Sequence, residues 1–99
     1  MATHWLSFRL ADNSTYSERY DKLLEAIRER SSKWWLETSA FLVFDTTHDI
    51  DQIAAAAKAA VDPRFDIVLI GMTDFKSARL IGASQDKDIF GLIPFVKNV

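Results

Sequence analysis

The chain has 99 residues, with 12 lysines and arginines against 14 aspartates and glutamates and a formal net charge of −2. That length supports one domain around a single core, and that charge exerts no long-range pull on nucleic acid or on an anionic membrane. The absence of cysteine excludes disulfides, thiolate metal sites and cysteine nucleophiles together.

Residues Met1–Leu10 include a histidine and an arginine and no long apolar block, so no secretory signal is expected there. No run reaches the ~18 apolar residues of a membrane span, and a cytoplasmic protein without membrane contact is the expectation. His4–Leu10 alternates instead. Leu6, Phe8 and Leu10 fall on one face of a strand, Trp5, Ser7 and Arg9 on the other. Ala11-Asp12-Asn13-Ser14 is turn chemistry, and Thr15-Tyr16-Ser17-Glu18 matches a capping box. Tyr16, Tyr20, Leu23, Leu24 and Ile27 then share one stripe of a helix. Glu18, Arg19, Lys22, Glu25, Arg28 and Glu29 lie opposite, with mixed signs that read as a solvated face.

Ser31-Ser32-Lys33 is expected to close that helix, and Trp34–Thr38 and Ala40–Asp45 to form strands. Asp49 to Gln52 can cap a second helix whose buried stripe is Ile50, Ile53, Ala54, Ala57 and Val61. Pro63 ends it. Phe65–Met72 reads as a fourth strand, apolar on both faces. Ala78–Ile81 suits a short fifth strand, and Ile89–Val96 a helical turn followed by extended chain.

The order strand–helix–strand, twice over, predicts an α+β fold, a ferredoxin-like βαββαβ sandwich over residues 1–99. Its core is 3–72, an antiparallel four-stranded sheet with two helices on one face, and residues 73–99 form a C-terminal extension. The helix-free face of such a sheet is normally polar at every second position. Here Phe41–Phe44 and Ile67–Ile70 are apolar on both sides, and Trp5 joins them. An exposed patch of that kind marks an interface. A homodimer through this face is expected, with Trp5, Arg9, Phe41, Val43, Val68 and Ile70 in contact. The alternative is that the C-terminal segment folds back over the face.

Arg28, Arg30 and Lys33 cluster at the end of the first helix, where cations complement the helix dipole. With Arg9, Lys76 and Arg79 they are candidates for a basic groove. Trp5, Trp34 and Trp35 can stack on bases or anchor a core or interface. His4 and His48 have no second ligand at helical spacing, and no metal site or cofactor is expected.

Trp34-Trp35-Leu36-Glu37-Thr38-Ser39, placed after a first helix of this length and before an apolar strand, resembles the W-W-x-x-E-S-T segment of the SinR-like proteins. The likeness runs over about residues 3–72, through the loop Thr46–Asp49, the following helix and the strand after Asp62-Pro63. That family is similar to the second CRISPR-associated protein, a ferredoxin-fold dimer that serves as a scaffold in spacer acquisition, and to the VapD and GhoS toxin–antitoxin ribonucleases. The resemblance implies dimerisation through the open sheet face.

It also implies where to look for chemistry. In the CRISPR-associated family the first strand ends in an aromatic–aspartate pair, and the paired aspartates are proposed to hold a divalent metal. The position matching that aspartate is Arg9 here, in Ser7-Phe8-Arg9-Leu10. Arginine cannot ligate Mg²⁺, which takes oxygen donors, but a guanidinium suits a phosphate or a partner's carboxylate. A structural salt bridge from Arg9 to Asp45 or Glu37 across the dimer is the competing reading. The expectation is therefore a non-catalytic homodimeric module that binds a protein or nucleic acid in a toxin–antitoxin or defence setting. The alternative is an Mg²⁺-dependent endoribonuclease in which Asp12 or Asp45 replaces the missing ligand.

Overall fold

The computed structural model describes residues Met1–Val99. Its first strand, β1 (Ala2–Arg9), keeps the alternation: Leu6 and Phe8 are buried, Trp5 is half-buried and Arg9 is exposed. α1 (Tyr16–Glu29) follows and leads directly into β2 (Ser31–Trp35). β3 (Phe41–Thr46), α2 (Ile50–Ala60) and β4 (Ile67–Met72) complete the predicted succession. The remaining chain adds β5 (Ala78–Ile81), the short α3 (Ile89–Leu92) and β6 (Val96–Asn98).

The result is an α+β domain with a mixed sheet of six strands, two more than the expected four, in the order β2-β3-β1-β4-β5-β6. Neighbours are antiparallel except β5 and β6. α1 and α2 pack against each other, and their buried residues Leu23, Ile27, Ile53, Ala54 and Ala57 join Leu6, Phe8, Leu42 and Phe44 in one core. No helix is long and apolar enough to cross a membrane.

Several local expectations need correction. Ser31-Ser32-Lys33 belongs to β2, because Ser31 pairs with Thr46 and Lys33 with Asp45, with an irregularity between them. The Thr46 hydroxyl also donates to the Arg30 carbonyl at 2.6 Å. Thr15 makes no side-chain cap to the backbone; its hydroxyl accepts from Arg19 Nε instead, at 3.0 Å. α2 does carry a full capping box, Asp49 with Gln52.

Val68 and Ile70 were expected on the open face and lie in the core, each fully buried. The register explains it. Leu6 pairs with Ile70 and Phe8 with Val68, and directly paired residues point to the same side of a sheet. Ile67 and Leu69 take the open side instead.

That open side is divided. A parallel connection must cross one face of the sheet, and the right-handed rule sends residues 82–95 across the face opposite α2. Burial agrees. Arg79 of β5 reaches Asp51 of α2, so Ala78 and Leu80 point the other way, yet they are 1% and 3% exposed. The fold-back of the C-terminal segment, stated above as the alternative to a dimer, therefore covers the β5 end of this face, while Ile67 and Leu69 of β4 stay half-buried. On the β1–β3–β2 side, Trp5, Phe41 and Val43 are only half-buried and Trp35 is 45% exposed. Trp5 stacks on Phe41 with ring centroids 6.3 Å apart, and lies so close over Gly71 that any Cβ there would meet its ring at 2.3 Å.

Candidate functional site

The residues singled out from the sequence do not form one site. α1 starts beside the end of β1 and runs back along the sheet, so its last turn lies at the opposite end. Arg30 and Lys33 sit near Thr46 and Asp45, which pair with Ala2 and Thr3. Arg9 pairs with Ile67 at the far end of β1, a span of about 20 Å at ~3.3 Å per residue. Arg28 lies over the Trp34 ring at 5.2 Å. Arg79 is buried and paired with Asp51, Nε to Oδ1 at 2.6 Å. The basic groove from Arg9 through Arg28, Arg30, Lys33 and Arg79 is therefore not assembled within the chain.

The two candidate acids are also far apart. Asp45 accepts a hydrogen bond from the Thr3 hydroxyl at the start of β1, whereas Asp12 is exposed in the loop beyond its end. Nowhere do three histidine, aspartate or glutamate side chains converge.

The densest polar construction joins Asp66 to Arg19, a residue expected on the solvated face of α1. Asp66 is fully buried, and Arg19 is 7% exposed despite its place on the charged side of the helical wheel. Arg19 Nη1 donates to both Asp66 oxygens. Asp66 Oδ1 also accepts from the Ala11 amide and Oδ2 from the Asp62 amide, each at 2.8 Å. Arg19 Nη2 donates to the Ala11 carbonyl at 2.8 Å and to Asn13 Oδ1 at 2.7 Å. One ion pair thus ties the loop after β1, the start of α1 and the loop before β4. The available signal was a single charge between Phe65 and Ile67 in an apolar run, since a charge drawn into a core needs a partner.

Against this knot lies a cleft of about 390 Å³, lined by Arg9, Arg64, Phe65, Ile67, Ala83 and Gln85 with Ala11 and Asp66. Arg64 holds Asp62 through two contacts, Nε to Oδ1 at 3.0 Å and Nη2 to Oδ2 at 2.8 Å. Those bonds hold the Asp62 carboxyl down at about 2. Arg64 Nη1 and the Arg9 guanidinium have no protein acceptor or acidic partner.

Compared with protein-family models, curated proteins and solved structures, the chain matches none. Two features can engage a partner: the uncovered half of the apolar sheet face, and the cleft with its free guanidinium groups.

A third feature controls stability. His4 is fully buried on the core side of β1, stacked on Phe44 with centroids 5.7 Å apart, and neither ring nitrogen has a hydrogen-bond partner. Burial lowers its pKa from the ordinary 6.5, more than the Ala2 backbone and the Asp49 carboxylate raise it. The folded state therefore holds a neutral imidazole. As pH falls through the unfolded value, the unfolded chain takes up a proton that the folded chain refuses, so stability drops. The drop ends where the folded imidazole itself titrates. Urea unfolding from pH 7.5 to 4.5 should show this loss, and His4→Leu should remove the part due to this ring. An unchanged pH profile in His4→Leu would show that the carboxylates alone set acid stability.

Proposed function

We propose that this chain is a non-catalytic homodimeric module of the SinR-like kind, on a ferredoxin-like core, that acts by binding a protein or nucleic-acid partner in a toxin–antitoxin or defence setting. The observation that carries this reading is the uncovered half of the helix-free sheet face. There Trp5, Phe41 and Val43 are half-buried and Trp35 is 45% exposed. The antiparallel order β2-β3-β1-β4, with α1 and α2 packed together on one side, supports the ferredoxin-like description.

A second copy laid on this face would meet it with the same side chains, as a two-fold dimer requires. Tryptophan and phenylalanine each remove a large area from water, and aromatic side chains are enriched at the centres of interfaces. At ~25 cal/mol per Å² of apolar area, covering this strip favours association. Arg9 stands at the rim, so the acid expected from the resemblance is replaced by a cation that can meet an anionic partner.

Sedimentation velocity tests the dimer. The wild-type chain should sediment as a dimer at about 10 μM, and Val43→Glu, which puts a carboxylate on the open face, should give a folded monomer. A wild-type monomer at that concentration would remove the dimer from the reading. A gel assay with end-labelled RNA and DNA, in Mg²⁺ or EDTA, tests the other half. Shifted but intact strands support a binding module; metal-dependent cleavage overturns it in favour of the ribonuclease.

A further inference from the structure

We propose that the cleft at the Arg9 end of the sheet binds a phosphate monoester carrying a flat ring: a nucleotide, or the phosphorylated end of a single strand. This deepens the binding-module reading by naming the ligand chemistry, and it does not depend on the dimer.

Three of the eight lining side chains carry donors. Arg9 has no partner, Arg64 keeps Nη1 free while its other nitrogens hold Asp62, and Gln85 adds an amide. The one carboxylate in the lining, Asp66, is fully engaged by Arg19 and two backbone amides. It therefore neither repels an anion nor competes for the guanidinium groups. A monoester phosphate presents three terminal oxygens to these three side chains, where a diester or a carboxylate presents two. Guanidinium forks match such oxygens in geometry and charge.

The floor of the cleft is held in place before any ligand arrives. Asp66 is fixed by the knot, and Gly82 packs its backbone directly on the Asp66 carbonyl, which sets the path into Ala83 and Gln85. Phe65 is 51% exposed at the mouth, with the Arg64 guanidinium 5.1 Å from its ring centre. An exposed ring beside a phosphate site gives a base a surface to stack on. Because Asp62 offsets Arg64, the uncompensated charge is that of Arg9, and affinity of about 0.1–1 mM is expected.

The test is an NMR titration of the full chain with inorganic phosphate, with AMP, and with a short oligothymidylate bearing either a 5′-phosphate or a 5′-hydroxyl. Shifts are expected at Arg9, Arg64, Ala83 and Gln85. AMP should bind about tenfold more tightly than phosphate, and Phe65→Leu should abolish that advantage while phosphate still binds. Arg9→Gln, judged folded by its own spectrum, should weaken AMP about tenfold. AMP binding alone points to a free nucleotide; equal binding of the phosphorylated strand points to a strand end. The proposal fails if about 5 mM AMP shifts none of these residues, if Arg9→Gln binds unchanged, or if the hydroxyl strand binds as well as the phosphorylated one. Sedimentation of the same samples separates the two readings. A monomer that binds AMP removes the dimer alone, and a dimer that ignores AMP removes this site alone.

Discussion

Replacing Asp66 with alanine is expected to cost about 3–5 kcal/mol of folding stability, the range for stripping one partner from a buried ion pair. The substitution leaves the Arg19 guanidinium inside the protein without its anion. It also orphans the Ala11 and Asp62 amides, which donate to Asp66 at 2.8 Å. Arg19→Met alone should be similarly damaging, because it leaves a buried carboxylate. The double substitution should recover part of the loss, since it removes both charges together and closes a double-mutant cycle. Urea unfolding of the four proteins measures this. A loss below about 1 kcal/mol for Asp66→Ala would mean that water reaches the knot and the pair behaves as a surface bridge.

The second large effect is expected from Gly82→Ala. Gly82 has a φ of 105°, the only positive value in the chain. An alanine Cβ would also stand 2.1 Å from the Asp66 carbonyl oxygen, a backbone atom that cannot swing aside. Strain and collision together should cost about 3 kcal/mol or more. They should also loosen the cleft wall, so AMP binding should weaken in whatever fraction stays folded. Gly91→Ala is the matched control. It has ordinary φ and open space at the Cβ position, so a change within about 1 kcal/mol is expected. Equal melting curves for the two variants would contradict the close approach at Gly82.

The periodicities of Leu6-Phe8-Leu10, of Leu23 and Ile27, and of Ile53-Ala54-Ala57 were enough to place β1, α1 and α2, because burial on one face imposes a period that composition cannot hide. β4 was different. Ile67 to Ile70 is apolar on both sides, so alternation could not say which residues face the helices. Only pairing with Leu6 and Phe8 assigns Val68 and Ile70 to the core. The coverage of Leu80 was equally out of reach, since it depends on the handedness of the β5–β6 crossing.

The cleft was half visible. Arg9 was marked by its place at the end of an apolar strand. Arg64, Phe65 and Gln85 were not, because they come from segments far away in sequence that meet only after folding. Arg19 was misplaced for a physical reason. A helical wheel treats a charge as wanting water, and a buried counter-ion 47 residues away reverses that preference.

The central position of β1 also bears on how the chain is made. A ribosome releases the amino end first, so the strand that will be flanked on both sides emerges before either neighbour exists. One edge must wait for Phe41–Thr46 and the other for Ile67–Met72, and Arg19 must wait for Asp66. During that interval Leu6, Phe8 and Trp5 have nothing to pack or pair against, and an apolar segment of this kind is open to association with other chains. The stable sheet is thus committed late in synthesis, because the two pairings that flank β1 join distant parts of the chain, the kind of contact that slows folding.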